Sequence, residues 1–380
     1  MCPDSEIIDL IELKQALVHC NVLWSTRESA IAAPRGDIRL AYLPACGHTF
    51  NRAFDPSLME YTQEYENSLH FSPRFQSYAT ELAERLIRKY ELTGKDIVEI
   101  GAGKGDFLIM LCDREQNRGW GYDPSYVPGA ELSSPNVSFV QDFYTEKYTS
   151  QEADLIVCRH VLEHIEDPDA FIAQVRRAVG DKQSVVFFEV PNANWTLRHG
   201  GIWDIIYEHC SYFSPHSLAA LFRRHDFKIE AVKEVFGGQF LTIEAVPGKQ
   251  TEFADDSAAL TQLTAAASGF AANFLAKRDH WLKRLDTLRD AGKRGVVWGS
   301  GSKGVTFLNV MESGDEIAAV VDINTRKQGK YVAGTGHPII SPAQLSELRP
   351  DFVIIMNANY REEIGRMLAE VGVQAEVMVA

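Results

Sequence analysis

The chain has 380 residues, 45% of them hydrophobic and 24% charged, which is apolar mass enough for two or three folded domains and excludes disorder as its main state. Lys plus Arg number 38 against 52 Asp plus Glu, and the resulting formal charge of −14 repels phosphate backbones and anionic lipid surfaces, so neither nucleic acid nor a membrane is an expected partner. No apolar run approaches the roughly 20 residues of a membrane span, and the N-terminus MCPDSEIIDL carries acids where a signal peptide carries lysines, the pattern of a cytoplasmic protein. The cysteines Cys2, Cys20, Cys46, Cys112, Cys158 and Cys210 lie far apart in a long chain and read as reduced thiols.

Residues 1–70 alternate short apolar stretches with turn residues and end in a polar segment carrying Tyr61 and Tyr65, which reads as a small irregular unit with little stability of its own. After Phe71, the helical spacing of Leu82, Leu86 and Ile87 is closed by Gly94 before an apolar strand at Ile97–Ile100. Segments 119–123, 154–158 and 184–190 are further short strands separated by helical stretches, the pattern of a parallel sheet that ends near Ala245. Pro247–Gln250 is a turn-rich break. Ser257 then caps a helix to about Ala291, with Gly269 as the point where it breaks. A strand at 295–298, a glycine loop at 299–304, a helix and a strand at 317–322 bring the βαβ order back. Gly101 to Asp123 spans 22 residues and Gly299 to Asp322 spans 23, so the expected fold is α/β with two Rossmann-like units in tandem, divided at 1–70, 71–250 and 251–380.

Glu99 precedes Gly101-Ala102-Gly103-Lys104-Gly105, a G-x-G-x-G loop between strand and helix where absent side chains let backbone amides approach a ligand. The dinucleotide pattern G-x-G-x-x-G fails here because its third glycine falls on Asp106. An acid before G-x-G-x-G resembles the first motif of class I S-adenosylmethionine-dependent methyltransferases, and the following segments keep the resemblance in register. It implies S-adenosylmethionine as cofactor. Asp123 offers two acceptor oxygens to the ribose hydroxyls. Asp142 and Phe143 resemble the pair flanking the adenine, and Arg159 and His160 open the short segment to Ile165 that lies beneath the sulfonium in that family.

Tyr207, Glu208 and His209 follow the strand VVFFEV and the loop PNANWTLRHGG, which puts them on the same sheet edge. Histidine, with an unperturbed pKa near ~6.5, accepts a proton at neutral pH, the glutamate can orient it or act itself, and the tyrosine hydroxyl can hydrogen-bond an enolate. The same three residues also fit a plain strand-to-helix loop in which His209 satisfies backbone groups.

Segments Cys46–Pro56, Tyr207–Phe213, Trp298–Thr306 and Lys327–Thr335 narrow the resemblance to the three-domain sugar C-methyltransferases, which methylate nucleotide-linked 4-keto deoxysugars. The likeness covers most of the chain. It implies that His209 is the base at the carbon alpha to the ketone, with Glu208 and Tyr207 beside it, and that the last unit binds substrate; Tyr65 and His164 are the further expected substrate contacts. Two departures stand out. The family's N-terminal unit holds zinc through two C-x-x-C pairs, but Leu23 and Leu43 replace the partners of Cys20 and Cys46, so no metal is expected although His19 and His48 lie nearby. The family's Tyr-His-Glu-His run is shortened to Tyr207-Glu208-His209, which leaves O- or N-methylation as an alternative.

Gly299, Gly301 and Gly304 do match G-x-G-x-x-G, with Asp322 at the next strand end, and on motif alone they mark an NAD site and a sugar oxidoreductase. The basic residues Lys303, Arg326, Lys327 and Lys330 suit a substrate diphosphate instead, and nucleotide-sugar binding ranks first.

Overall fold

The computed structural model describes residues 6–59, 65–127, 134–250 and 257–380; Cys2 and Tyr61 lie outside the described residues. Three sheets organise the described residues.

The first sheet is antiparallel and is built from Ile8–Leu17 (β1), Arg35–Leu43 (β2) and His48–Asn51 (β3), with a short helix, Arg27–Ile31 (α1), between the first two. Its fourth strand comes from elsewhere: Ser211–Tyr212 (β9) pairs with Thr49 and Phe50 directly after the Tyr207-Glu208-His209 run. The irregular N-terminal unit expected from the sequence is therefore a sheet. Register shifts between Asp9 and Ile11 and between Leu13 and Ala16 break the period-2 pattern of β1, and a two-residue β9 has no pattern to read.

The second sheet follows helix Pro73–Tyr90 (α2), which Ser72 caps through the Phe75 amide. Its elements are Asp96–Ile100 (β4), Asp106–Cys112 (α3), Arg118–Tyr122 (β5), Val137–Val140 (β6), Leu155–Arg159 (β7), Pro168–Val179 (α4), Val185–Pro191 (β8), Ala193–His199 (α5), Pro215–Arg224 (α6), Phe227–Val235 (β10) and Phe240–Pro247 (β11). The strand order is β10-β11-β8-β7-β4-β5-β6, parallel except for β11. Helices on both faces explain why β7 is buried along its whole length.

Helix Ser257–Asp290 (α7) leads into the third sheet and runs unbroken through Gly269, contrary to expectation. A mid-helix glycine costs only about 1 kcal/mol, and the buried stripe Leu263, Phe270, Phe274, Trp281, Leu285 and Leu288 outweighs it. Then come Gly295–Trp298 (β12), Ser302–Val310 (α8), Ile317–Val321 (β13), Ile339–Ile340 (β14), Leu345–Leu348 (α9), Phe352–Ile355 (β15), Arg361–Glu370 (α10) and Glu376–Val379 (β16). All five strands are parallel, in the order β14-β13-β12-β15-β16.

Both parallel sheets reverse their strand order at one point, between β4 and β7 and between β12 and β15, where ligands bind in doubly wound sheets. Among the described residues no helix is long and apolar enough to cross a membrane.

Candidate active site

The two switch points open onto one cavity of about 380 Å³. Its walls are the loop after β4, the segment after β7, the Glu208-His209 turn, the loop after β12, and Tyr65 to Ser72.

The first glycine loop needs its glycines. Gly101 and Gly105 have φ of +72° and +93°, and a Cβ would lie 2.1 Å from Val161 Cγ2 at the first and 2.2 Å from Phe139 Cζ at the second. Glu99 lines the cavity beneath the loop, buried, with Oε2 lacking any hydrogen-bond partner. Burial pushes its carboxyl up to about 8, against the pull of Arg159 and with added push from Asp106 and Asp123. A buried acid with one oxygen left without a hydrogen bond, beside a bare glycine loop, fits the ammonium and sulfonium charges of S-adenosylmethionine.

Asp123 closes the loop on itself: Oδ2 accepts the Gly103 amide at 2.8 Å, and Oδ1 accepts the Ser125 amide at 2.8 Å and its hydroxyl at 2.6 Å. Ala102, Gly103, Lys104 and Ser125 line the cavity beside it. Asp142 accepts the Tyr148 hydroxyl at 2.6 Å, and Phe143 is 57% exposed; neither is part of the cavity wall.

Arg159 and His160 do reach the cavity, held by a residue that the sequence reading passed over. Glu189, fully buried on β8, accepts Arg159 Nε at 3.1 Å and Nη2 at 2.8 Å, receives the Tyr78 hydroxyl, and lies 3.0 Å from His160 Nε2. Burial opposes its charge, but Arg159 and His160 outweigh that and bring Glu189 down to about 2. His160, at φ +54°, also has Nδ1 3.6 Å from Glu163 Oε1; burial opposes its charge, and the two carboxylates raise it to about 9. A lone Glu inside the apolar run VVFFEVP was the available signal, because a buried charge requires a partner.

The Tyr207-Glu208-His209 run splits. The His209 amide bonds back to the Ile206 carbonyl, so the chain turns there and its side chains diverge. Tyr207 is fully buried against Phe54 and receives the Asp55 amide on its hydroxyl at 2.8 Å, so it faces the first sheet and not the cavity, a correction to the expected catalytic trio. Glu208 and His209 line the cavity. Glu208 is fully buried with neither oxygen hydrogen-bonded, and the nearest base is His19 Nδ1 at 3.8 Å. The His209 ring stands edge-on to His164 at 4.9 Å, and its Nδ1 has no hydrogen-bond partner. Burial, reinforced by His164, His160 and Lys303, holds its pKa well below the usual histidine range and keeps the ring neutral.

On the substrate side, Tyr65, His164, Lys303 and Lys327 line the cavity, Lys303 paired with Asp204 and Lys327 buried. Arg326 pairs instead with Glu66 at 3.1 Å, and Lys330 Nζ sits 3.0 Å from Ser25 Oγ, both off the cavity wall. The second glycine loop mirrors the first, for Asp322 accepts the Ser300 amide at 2.9 Å and its hydroxyl at 2.6 Å. His19 faces Glu208, whereas Cys46 and His48 line a separate small cavity with Pro168 and Phe213. Cys20, Cys46, Cys112, Cys158 and Cys210 are all buried thiols.

Residues 72–232 match the family model of a methyltransferase domain, and residues 250–379 that of a C-methyltransferase C-terminal domain. C-methyltransferase NovU of Streptomyces niveus is 27% identical over 302 residues, covering 75% of this chain and 71% of that protein. The tRNA U34 carboxymethyltransferase of Dichelobacter nodosus (strain VCS1703A) is 28% identical over 168 residues, 38% of this chain and 49% of that protein. The crystal structure of magnesium protoporphyrin IX methyltransferase from Synechocystis PCC 6803 with bound SAH aligns with 46% of this chain and 84% of its own, at 15% identity and a TM-score of 0.37.

Proposed function

Because the chain belongs to the S-adenosylmethionine-dependent C-methyltransferases, we propose that its substrate is a nucleotide-linked keto deoxysugar, methylated at the carbon alpha to the ketone, with His209 as the proton acceptor. The observation that carries this reading is His209 itself, a neutral imidazole in the wall of the cavity that joins the two glycine loops, with a nitrogen left without a partner. A carbon alpha to a ketone becomes nucleophilic only as its enolate, so a base must break the C–H bond and keep the proton. S-adenosylmethionine, bound at the Gly101 loop, supplies an electrophilic methyl group. Gly101, Gly103 and Glu99, with Arg159 and His160, line the cavity on the side of the first glycine loop, which supports their serving the cofactor. Lys327, with the uncapped N-terminus of α8 at Gly301, favours an anionic diphosphate on the other side.

Solvent deuterium exchange tests the base. With S-adenosylhomocysteine in place of the methyl donor, the wild type washes deuterium into the alpha carbon of a nucleotide-linked 4-keto sugar, and His209→Ala slows this by about 10²–10⁴ with cofactor affinity unchanged. Exchange that persists in the variant, or a methyl group found on oxygen or nitrogen of the product, overturns the reading.

A further inference from the structure

Every residue from Tyr65 to Ser72 lines the cavity, which makes this segment a strap along its wall. Both ends of the strap are anchored to the unit of the third sheet. Glu66 accepts Asn324 Nδ2 and Arg326 Nη1, each at 3.1 Å, and Glu363 accepts the Ser72 hydroxyl at 2.8 Å and the Arg74 amide at 3.1 Å. Between these anchors the His70 ring stands edge-on to Phe75 at 5.1 Å, and the Arg159 guanidinium lies 5.9 Å from the centre of the same Phe75 ring. That places His70 on the side of the first glycine loop, where Asp106 and Arg159 bias its protonation as they bias that of Glu99.

The ammonium and the carboxylate of the cofactor's amino-acid end share one carbon, so whatever holds the carboxylate must lie beside the acid that balances the ammonium. The basic neighbours on this side are already engaged, Lys104 with the Ser125 carbonyl and Arg159 and His160 with Glu189. His70 is different. Its Nδ1 is buried without a hydrogen-bond partner, a deficit that costs stability unless a ligand relieves it. Burial outweighs the pull of Asp106 and holds the imidazole below the usual histidine range, so the ring is neutral and carries one N–H. It therefore offers a hydrogen bond, and the Arg159 guanidinium on the far side of Phe75 supplies positive charge.

We infer that His70 donates a hydrogen bond to the α-carboxylate of S-adenosylmethionine and thereby selects a cofactor with an intact amino-acid end; this rests on the cofactor lying at the Gly101 loop, as proposed above. The contact is one of binding, separate from the proton transfer assigned to His209. A hydrogen bond to a charged group contributes about tenfold or more in affinity.

Calorimetry on the full-length protein with two probes tests the contact without turnover. S-adenosylhomocysteine carries the amino-acid end, whereas 5′-methylthioadenosine keeps the nucleoside and the sulfur but lacks it. His70→Ala should weaken S-adenosylhomocysteine about tenfold or more and leave 5′-methylthioadenosine unchanged, with far-UV circular dichroism that of the wild type. His70→Gln, whose amide also donates, should recover most of the loss. Unchanged affinity for S-adenosylhomocysteine overturns the contact, and so does an equal loss for both probes, because a packing role would disturb the nucleoside as well. Gly103→Ala tests the placement separately: a Cβ there meets no protein atom within 4 Å, so the methyl group enters the space beside the loop and should weaken both probes. If it weakens neither, the cofactor lies elsewhere and both readings fail; if it weakens both while His70→Ala weakens neither, the His70 contact alone fails.

Discussion

A buried carboxylate is an electrostatic question with a definite answer for each ligand. Glu99, raised to about 8 mainly by its burial, is protonated at neutral pH before a ligand arrives. A positively charged cofactor in the same cavity favours the carboxylate, so binding S-adenosylmethionine drives a proton off. Affinity should therefore rise with pH between about 6 and 8 and level off above, since the proton no longer has to be expelled. Calorimetry at pH 7 in buffers of different ionisation enthalpy should record proton release on binding, and Glu99→Gln should abolish both the release and the slope. An affinity that falls with pH in this range contradicts the argument.

Residue-scale legibility followed the same physics. That Glu99, the glycines, His164 and His209 line one cavity was legible because they sit on short, local, compositionally marked loops. Glu189 was hidden inside an apolar strand, and its partners Tyr78, Arg159 and His160 come from two distant segments, so only the folded chain shows the network. Asp123 was placed at the correct strand end, yet its carboxylate is engaged by its own loop, a detail that no spacing encodes. Tyr207 was misassigned because a turn between residues 206 and 209 separates neighbours that a linear motif groups.

At the scale of elements, α2 packs on the second sheet through Phe75, Leu82 and Leu86, and one buried acid gathers the polar end of the helix. Glu244 on β11, its side chain 1% exposed, accepts Arg85 at 2.6 Å and Lys89 at 2.6 Å and also receives the Tyr90 hydroxyl. Burial opposes the charge, but these three partners bring the carboxyl down to about 2. A folded-state value below the unfolded one, about 4.3 for Glu, means that the contribution is fully present above the unfolded value and is lost as pH falls toward about 2. Arg85 and Lys89 are 29% and 40% exposed, so solvent screening holds the effect to about 1 kcal/mol. Urea unfolding of Glu244→Gln should show that loss at pH 7 and a shallower decline of stability between pH 4.5 and 2 than the wild type; an equally steep decline would mean that other carboxylates govern acid unfolding. Parallel strands with buried faces were visible in the sequence, whereas the bulged β1 and the two-residue β9 were not, since pairing partners far along the chain decide such strands.

At the scale of the molecule, the sequence divides into three stretches, but one of the buried apolar clusters runs through all of them. One buried cluster joins Leu10 and Ile38 of the first sheet, Leu197 of α5, Trp203 and Ile206 beside the His209 turn, Phe270 and Trp281 of α7, and Phe307 and Val297 of the third sheet. The first sheet is completed by β9, which itself begins two residues after His209. Cutting the chain after residue 250 would thus strip α7 and the third sheet from the face that carries β1 and α5, exposing several large side chains at roughly 1.5–3 kcal/mol each. A domain stability of about 5–15 kcal/mol does not survive that loss. The 1–250 fragment should accordingly bind a hydrophobic dye, aggregate on size exclusion and fail to bind S-adenosylhomocysteine, even though every residue of the first glycine loop is present. A monomeric, cooperatively melting fragment with wild-type affinity would show that the cofactor site is an independent unit; the shared core argues that the cofactor and substrate sides were built, and can only be held in register, as one body.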